Sequence, residues 1–427
     1  MIMQNSEATI SEQFLTKEKS RWLDRLARKA VHNILRHIQQ GEIVLREGQI
    51  EYYFGQKTQD CTLCVTIDVL DFRFYSDVAF AGSVGSGEAY MQGYWKCSNP
   101  TALVRLLLIN RHVLDNMDRR LSRIKTPIYK ILHWFNRNTR DGSRRNIEAH
   151  YDLGNRLFEQ FLDSSLMYSA AYYQTPTMSL EQAAIAKLDR ICRKLELTPE
   201  DHVLEIGSGW GGFAIHAAQH YGCHVTTTTI SKQQYELVCT RVKQSGLEDQ
   251  ITVLMNDYRD LEGQYDKLVS IEMVEAVGHQ YLSTYFLQCS RLLKPNGMML
   301  LQAITITDQL YEAALRDVDF IKRYIFPGGF LPSISVMTNS IAKVTDMKLF
   351  HLEDIGPHYA TTLRDWRLRF FQNIEQIKKL GYSDSFIRMW EYYLSYCEGA
   401  FIERAIGTVQ MLLVKPGCQR APVQLRD

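Results

Sequence analysis

The chain has 427 residues, of which 45% are hydrophobic and 23% are charged, enough for a packed core and for two domains. A formal net charge of +1 excludes the chain-wide positive field that nucleic-acid binding uses. No apolar run approaches the ~20 residues that span a bilayer, no basic, apolar leader precedes the first elements, and the nine cysteines are scattered. The sequence therefore predicts a cytoplasmic protein with reduced thiols and no nucleic-acid partner.

The first elements are a helix and several short strands. Apolar residues recur at helical spacing within 17–40, at Trp22, Leu26, Ala30, Ile34 and Ile38, which predicts a helix whose stripe either packs in the core or contacts a membrane surface. Strands are predicted at "EIVLREG", "QIEYYFG", "CTLCVTIDVLD" and "FRFYSD". Helical patterns then continue to about residue 138.

A basic segment comes next. Between Arg119 and Arg145 there are nine lysines and arginines and one acid, Asp141, interleaved with the apolar letters "IYKILHWF". A solvated helical face is the ordinary interpretation, and contact with anionic lipid headgroups is the alternative. The polar letters "NRNTRDGSRRN" within this segment indicate a linker.

After the linker, strand patterns alternate with helix patterns. Strands are predicted at "HVLEIG", "CHVTTTT", "QITVLMN", "YDKLVSIEM" and "MMLLQAITI", with helices between them, and later at "MKLFHLEDIG" and "GTVQMLLVKP". This alternation predicts an α/β fold with a mainly parallel, doubly wound sheet. The order of the last two strands predicts that the final strand is inserted as a hairpin partner.

A glycine-rich turn follows the first strand of this sheet, in "HVLEIGSGWGG". Glycines at this position let the backbone approach a ligand closely at the carboxyl edge of the sheet. A dinucleotide fingerprint is satisfied by Gly207, Gly209 and Gly212, but it requires an acid about 20 residues later. No Asp or Glu lies between Glu205 and Glu236. Glu205, directly before the turn, instead suits the cationic amino and sulfonium groups of S-adenosylmethionine.

Ordered motifs throughout the second half resemble the S-adenosylmethionine-dependent cyclopropane-fatty-acid synthases and mycolic acid cyclopropane synthases. They are "AHYDLGNRLFEQFLD", "MYSAAYY", "VLEIGSGWGG", "TTISKQQ", "NDYRDL", "SIEMVEAVGHQYLSTYF", "YIFPGGFLPS", "DIGPHYATTLRDW" and "YYLSYCEGAF". The resemblance implies a Rossmann-like class I methyltransferase domain with a seven-stranded, mostly parallel sheet over 139–416. It implies a smaller N-terminal α+β, lipid-associated domain over 1–138, and residues 417–427 form a tail.

The resemblance also implies the residues that bind the cofactor. In that family, threonine and glutamine after the second strand hold the ribose and adenine, an Asp-Tyr pair flanks the adenine, and a Tyr-Ser pair closes over the methionine end. The matching positions for the ribose and adenine are Thr229, Ile230 and Gln234, and the pair that flanks the adenine matches Asp257 and Tyr258. The pair that closes over the methionine end matches Tyr168 and Ser169, and Glu205, Gly207, Gly209 and Trp210 lie at the turn.

The base in this family is a bound bicarbonate. The matching partners here are Glu275, Tyr359 and the backbone of Ile304, which the resemblance therefore assigns to catalysis together with Gln302. Two side chains depart from the family pattern, since Ala170 replaces a cysteine and Gln302 replaces a histidine. These changes remove two partners of a buried anion and leave open whether bicarbonate binds. No metal site is predicted.

The resemblance implies an enzyme that transfers a one-carbon unit from S-adenosylmethionine to the cis double bond of an unsaturated phospholipid acyl chain. Two alternatives stay open: a C-methyltransferase that forms methyl-branched or methylene fatty acids without ring closure, and a non-catalytic lipid-binding homologue. The implied partners are unsaturated phospholipid acyl chains, the surface of the cytoplasmic membrane on its inner face, and a second copy in a homodimer.

Overall fold

The computed structural model describes residues 22–111 and 154–424. These residues form two units, of which the first contains 22–111 with Ser383–Gly399 and the second contains 154–382 with 400–424. The predicted boundary at 138/139 and the basic segment both lie outside the described residues. The grouping of Ser383–Gly399 with the first unit had no counterpart in the sequence-based division.

The first unit contains a four-stranded sheet in the order β2-β1-β3-β4. The β1 strand pairs antiparallel with β2 and parallel with β3. Its elements are α1 (Trp22–Leu35), β1 (Gly41–Glu47), β2 (Ile50–Gln56), β3 (Cys64–Val69), α2 (Arg73–Met91), β4 (Trp95–Cys97) and α3 (Pro100–Ile109).

The strand predicted at "FRFYSD" is wrong, because these residues begin helix α2. Asp71, just before them, accepts a hydrogen bond from the backbone N–H of Arg73 at 2.9 Å through Oδ1. Such a side-chain acceptor satisfies an N–H that has no partner in the first turn of a helix. The acid before this segment, which indicates a helix start, was therefore a stronger signal than the short alternation of aromatic residues, which indicates a strand.

The buried face of helix α1 differs from the predicted stripe. Ala27, Val31 and Leu35 are buried, whereas Trp22 is 72% exposed and Leu26 is 56% exposed. The stripe is therefore wrong as a core face at its beginning, and the helix turns large apolar side chains outward there. Within 22–111 and 154–424, no helix combines the length and apolarity needed to cross a bilayer.

The second unit contains a seven-stranded sheet in the order β10-β11-β9-β8-β5-β6-β7. The five strands from β9 to β7 run parallel, and β11 lies antiparallel between β9 and β10. The predicted α/β sheet and the inserted last strand are therefore confirmed. The strands are β5 (His202–Ile206), β6 (His224–Thr228), β7 (Ile251–Leu254), β8 (Tyr265–Ile271), β9 (Leu293–Ile306), β10 (Lys348–Asp354) and β11 (Ile406–Val414).

Helices surround this sheet, and apolar side chains pack in two clusters. Strand β5 places Leu204 and Ile206 in one cluster and Val203 in the other, as alternation along a strand requires. The helices of the second unit are α4 (Asn155–Phe158), α5 (Leu180–Leu195), α6 (Gly212–Tyr221), α7 (Lys232–Gln244), α8 (Leu282–Leu292), α9 (Asp308–Arg316), α10 (Ile334–Val344), α11 (Gly356–Gln372) and α12 (Ile374–Lys379), and helix α13 (Asp384–Ile402) follows them in the chain. Most residues of α13 belong to the first unit.

Helix α5 carries two buried lysines, Lys187 and Lys194. The start of this helix is well defined by the sequence. Ser179 and Gln182 form a capping box, in which each side chain bonds the backbone N–H of the other residue, at 3.3 and 2.9 Å. This arrangement satisfies two N–H groups that the helix leaves unpaired. The helix then packs Leu188, Ile191 and Leu195 into the cluster that includes Val203.

Candidate active site

The glycine turn lies at the carboxyl end of β5, where the predicted fold places a ligand. Gly207, Gly209 and Gly211 all have positive φ, at 98°, 49° and 84°, which other residues rarely adopt. The N–H groups of Gly207 and Ser208 donate to the carbonyl of Thr228 at 3.1 and 2.9 Å. A Cβ added to Gly209 would have no atom within 4 Å. The backbone of the turn is therefore open at Gly209, where a bound cofactor could approach it closely.

Glu205, the last acid before this turn, is 2% exposed. Its Oε2 accepts a 2.6 Å hydrogen bond from the Thr227 hydroxyl. Burial raises the pKa of Glu205 to about 8, against the hydrogen bond from Thr227 and the charge of Lys187. A cationic ligand would stabilise the charged form of this carboxyl, and the amino group of S-adenosylmethionine is such a ligand.

Lys187 of helix α5 is a fully buried cation that the sequence did not reveal. Its Nζ donates a 2.8 Å hydrogen bond to the hydroxyl of Ser169, one of the predicted cofactor residues. Burial lowers the pKa of Lys187 to about 8, while the charges of Glu272, Asp163 and Glu205 oppose that shift. Amphipathic spacing alone gives no signal for it, because a lysine in such a helix is normally solvated.

The predicted ribose and adenine residues follow strand β6. Thr229 donates through its hydroxyl to Oε1 of Gln234 at 2.8 Å and accepts from the N–H of Ser231 at 3.1 Å. Ile230, between them, is half-buried. A small polar cluster therefore occupies the place at which dinucleotide enzymes carry an acid, which agrees with the choice against that class.

Asp257 and Tyr258 follow strand β7. Both oxygens of Asp257 accept hydrogen bonds from Arg259, at 2.8 Å from Nε and 2.6 Å from Nη2. Tyr258 packs edge-on against Tyr285 with 5.4 Å between ring centroids. The pair thus lies on the same carboxyl edge as the glycine turn, and Arg259 holds the Asp257 side chain in position.

Tyr168 lies in an aromatic cluster. Its ring centroid is 5.2 Å from Trp366, 6.3 Å from Phe326 and 6.5 Å from Trp210. Trp210 is 2% exposed and donates its indole N–H to Asn155 at 2.8 Å, so it packs as part of the core beside the turn. The cluster supplies ring faces of the kind that stabilise cations.

The centre of the site is a carboxylate that the sequence did not single out, Glu272. Its Oε1 accepts from the backbone N–H of Ala170 at 3.0 Å and from Nε2 of Gln302 at 2.8 Å. Its Oε2 accepts from the Tyr359 hydroxyl at 2.7 Å. Burial raises the pKa of Glu272, against the hydrogen bonds from Gln302, Ala170 and Tyr359 and the charge of Lys187.

Glu272 also has an uncommon backbone conformation. It follows β8 directly, at φ 50°, in the left-handed region that costs a residue with a Cβ about 1–2 kcal/mol. Such outliers concentrate at functional sites. The next residue, Met273, lies where a Cβ on Gly207 would come within 2.9 Å of its Cγ, so Glu272 and the glycine turn are close neighbours. The sequence signal that could have identified Glu272 was an acid at the carboxyl end of β8, the strand that pairs with β5.

Glu275, the predicted catalytic carboxylate, has fewer partners. Its Oε1 accepts a 2.5 Å hydrogen bond from the backbone N–H of Ile304, and its buried Oε2 has no hydrogen-bond partner among the described residues. Burial, and then the charge of Glu272, raise the pKa of Glu275 to about 8. The structure therefore brings Glu275 and Ile304 together, whereas Tyr359 and Gln302 bond to Glu272.

These contacts bear on the bicarbonate that the resemblance implies. Tyr359, Gln302 and the backbone at Ala170 occupy positions that match bicarbonate partners, and all three donate to Glu272. A carboxylate and bicarbonate present similar oxygen acceptors, so one group already satisfies these donors. The donors that would hold bicarbonate are therefore bonded to the carboxylate of Glu272, and the residues present do not fit a bicarbonate ion.

Comparison with known proteins agrees with the geometry. Residues 138–411 match the family model described as mycolic acid cyclopropane synthetase, which is well over half of the chain. The chain is 37% identical over 343 residues to tuberculostearic acid methyltransferase UfaA1 of Mycobacterium tuberculosis, covering 79% of this chain and 80% of that protein. It is 37% identical over 346 residues to the cyclopropane-fatty-acyl-phospholipid synthase of Escherichia coli K12, covering 79% and 85%.

Solved structures give the same family. The cyclopropane synthase MmaA2 from Mycobacterium tuberculosis aligns with a TM-score of 0.60 at 30% identity, covering 64% of this chain and 98% of that one. Cyclopropane synthase CmaA1, solved with S-adenosylhomocysteine and CTAB, aligns with a TM-score of 0.60 at 32% identity over 64% and 98%. The chain therefore belongs to the mycolic acid cyclopropane synthetase family and is an S-adenosylmethionine-dependent methyltransferase.

Proposed function

We propose that this enzyme transfers a one-carbon unit from S-adenosylmethionine to the cis double bond of an unsaturated phospholipid acyl chain, with Glu272 as the proton acceptor. The observation that carries this proposal is the carboxylate of Glu272 held by Tyr359, Gln302 and the backbone of Ala170, next to the glycine turn. The family of the chain supports the donor and the acyl acceptor.

The cofactor is held by residues already in place. The open backbone at Gly209 lets the cofactor approach the turn closely, Glu205 faces its cationic amino group, and the polar cluster of Thr229 and Gln234 receives the ribose. When bound, S-adenosylmethionine would supply an electrophilic methyl carbon to the π electrons of the acyl double bond; the bond from this carbon to the sulfonium sulfur would break, so that S-adenosylhomocysteine leaves and the positive charge passes to the acyl chain.

Aromatic rings stabilise that charge. Trp366 lies between the two ends of the site, 5.2 Å from the ring of Tyr168 and 6.0 Å from that of Tyr359. Ring faces attract cations, by about 2 kcal/mol where water is excluded. The anionic carboxylate of Glu272 adds an electrostatic contribution on the Tyr359 side.

Glu272 then removes a proton from the added carbon. The C–H electron pair closes the ring, and the proton passes to the carboxylate. Its Oε2 has an acceptor position left, because it receives a single hydrogen bond, from Tyr359. Two nearby carboxyls rarely ionise together, so Glu275, with one backbone donor, holds the proton and leaves Glu272 as the anion.

The first unit is proposed to bring the enzyme to the inner face of the membrane. Trp22, Leu23 and Leu26 are 72%, 39% and 56% exposed, and they follow one another along helix α1. Clustered apolar side chains next to basic residues insert at the boundary between headgroups and acyl chains. This surface, named here the α1 apolar surface, supports a peripheral association.

The test uses purified full-length chain, S-adenosylmethionine with a labelled methyl group, and vesicles of an unsaturated phospholipid. Label in the acyl chains, released as methyl esters and identified by mass spectrometry, supports the transfer. High-field ring protons in the NMR spectrum identify the cyclopropane, and olefinic or methyl-branch signals identify the open-chain products. Absence of label from the lipid would overturn the proposal.

The matched control is the same incubation with vesicles of a saturated phospholipid of equal headgroup and chain length. A nucleophilic double bond is required for the transfer, so these vesicles should take up no label. Labelling of both lipids would place the methyl group on the headgroup and contradict the proposed acceptor.

A further inference from the structure

A row of polar side chains crosses the sheet of the second unit and ends at Glu272. Glu353 on β10 is the register partner of Gln410 on β11, and Gln410 is the register partner of Gln302 on β9. The backbone N–H of Glu272, just after β8, donates to the carbonyl of Gln302 at 2.8 Å. Both glutamines are fully buried, in a sheet core where polar side chains are uncommon.

Lys194 of helix α5 joins this row from above the sheet. It is fully buried, and its Nζ donates to Glu353 Oε2 at 2.5 Å and to Gln410 Oε1 at 2.7 Å. Gln410 Nε2 donates to Gln302 Oε1 at 2.9 Å, and Gln302 Nε2 donates to Glu272 Oε1 at 2.8 Å. We name Lys194, Gln410 and Gln302 the amide relay.

The direction of every bond in the relay follows from its first member. An ammonium group can only donate, so the atom of Gln410 that faces Lys194 must be the oxygen. The NH₂ group of Gln410 then faces Gln302, which must present its own oxygen. The NH₂ group of Gln302 is left to face Glu272. Each amide therefore has one orientation that satisfies all partners, and the opposite orientation would leave buried polar groups unpaired, which is unfavourable.

We propose that Lys194 and Gln410 are positioning residues, which hold the Gln302 amide with its N–H groups toward Glu272 and so keep that carboxylate ready to accept a proton. This inference rests on the proposed function of Glu272. Neither residue contacts the reacting atoms in this scheme. They act through Gln302, whose inverted amide would present an oxygen to Glu272 and favour the protonated acid.

The charged groups around the two ends of the relay are few. Lys187, Glu275 and the Tyr359 hydroxyl face Glu272. Lys194 faces Glu353, Arg190 and His351. Burial opposes the charged form of Glu353, but hydrogen bonds from Arg190 and Lys194 outweigh it and lower the pKa of this carboxyl to about 2. Burial lowers the pKa of Lys194 to about 8, against the hydrogen bond and the charge of Glu353. Lys194 is therefore mainly a cation at neutral pH, paired with the anion of Glu353.

The experiment measures the protonation of Glu272 directly. Infrared difference spectra of the full chain with isotope-labelled glutamate, recorded against pH and against a Glu272→Gln background, report the carboxylic-acid stretch of this residue. In Gln410→Met and in Lys194→Met, the apparent pKa of Glu272 should rise by about one unit, and the acidic limb of the rate profile should move by the same amount, a tenfold lower rate on that limb.

Thr408→Val is the matched control, since Thr408 lies on β11 two residues before Gln410 and is equally buried. Its hydroxyl has no hydrogen-bond partner among the described residues, so the pKa of Glu272 should not change. An unchanged pKa of Glu272 in a folded Gln410→Met or Lys194→Met variant overturns the relay. If the parent chain transfers no label to lipid, the proposed function fails, while the infrared shift still decides the relay.

Discussion

The hydroxyl of Tyr359 donates its hydrogen bond to Glu272, at 2.7 Å from Oε2, and not to Glu275. The ring of Tyr359 is held for this by Phe401, stacked at 4.5 Å between centroids. Glu272 thus gains three donors, whereas Glu275 has the single backbone N–H of Ile304. The two carboxyls, three residues apart in sequence, therefore have different surroundings, and the proposed function makes Glu272 the anion and Glu275 the acid.

This difference predicts unequal effects of two equivalent substitutions. Glu272→Gln removes the proton acceptor, and general-base catalysis contributes about 10²–10⁴-fold, so transfer of label to lipid should fall by about that factor. Glu275→Gln keeps a neutral group that still accepts from Ile304, and should lower the rate by about tenfold or less. Label incorporation per minute under saturating donor measures both.

Binding of S-adenosylhomocysteine, followed by calorimetry, should be retained in both variants, because neither side chain is assigned to the cofactor. Glu248→Gln, an exposed glutamate on the same unit, serves as the control for a surface charge. A larger loss in Glu275→Gln than in Glu272→Gln would reverse the assignment of base and acid.

Tyr359→Phe should change the pH dependence of the reaction and leave the fold intact. It keeps the ring against Phe401 and Trp366 but deletes a donor to the anionic form of Glu272, whose pKa burial already raises. Hydrogen bonds to charged groups contribute about 1.5–3 kcal/mol, which corresponds to about one to two pKa units.

The sign of that change is upward, since the lost donor stabilised the carboxylate. Glu272 must be deprotonated to act, so the acidic limb of the rate profile should move to higher pH, and raising the pH should restore much of the rate. A uniform loss of rate at every pH would mean that Tyr359 acts on the acyl chain and not on Glu272.

The sheet could be predicted from sequence because its signals are local. Segments such as "HVLEIG" and "GTVQMLLVKP" each show a strand-like apolar pattern next to turn residues. The glycine turn between β5 and α6 consists of consecutive residues, so it can be recognised in the sequence. The role of Glu272 could not be predicted in this way. Either acid in "SIEMVEAVGH" suits a site. The choice depends on the left-handed φ of Glu272 and on hydrogen-bond donors that lie 30, 87 and 102 residues away in the sequence.

The amide relay was hidden for a similar reason. Gln302 was noted as a departure from a family histidine, but its partner Gln410 is 108 residues away. Only the register of β9 and β11 makes them neighbours. Lys194 in "RICRKL" follows the pattern of a solvated helix end, and its full burial comes from packing between α5 and the sheet, which no local pattern encodes.

The cofactor turn can be tested with two glycines that are alike in backbone and space. Gly209 and Gly246 have φ of 49° and 65°, and a Cβ on either would meet no atom within 4 Å. Alanine at each should therefore cost a similar, small free energy of unfolding, roughly 1 kcal/mol. Gly209→Ala places a methyl group where the cofactor approaches the turn, and should weaken binding of S-adenosylhomocysteine about tenfold or more by calorimetry.

Gly246→Ala should leave that affinity unchanged, because Gly246 ends helix α7 away from the turn. Equal affinities in the two variants would remove Gly209 from the cofactor site. Thermal unfolding of both proteins without cofactor checks that the backbone cost is matched.

The α1 apolar surface can be tested with a second matched pair, in the first unit. Leu26 and Ile50 are each 56% exposed, but Leu26 lies beside Trp22 and Leu23 on the helix, while Ile50 begins strand β2. Inserting an aspartate into an acyl boundary costs desolvation and repels anionic headgroups. Leu26→Asp should therefore reduce sedimentation with vesicles that contain anionic phospholipid by about tenfold, whereas Ile50→Asp should sediment as the parent chain does.

Both variants should label detergent-dispersed unsaturated phospholipid at the parent rate, since neither position lies in the catalytic unit. Equal vesicle binding by the two variants would show that helix α1 does not face the lipid.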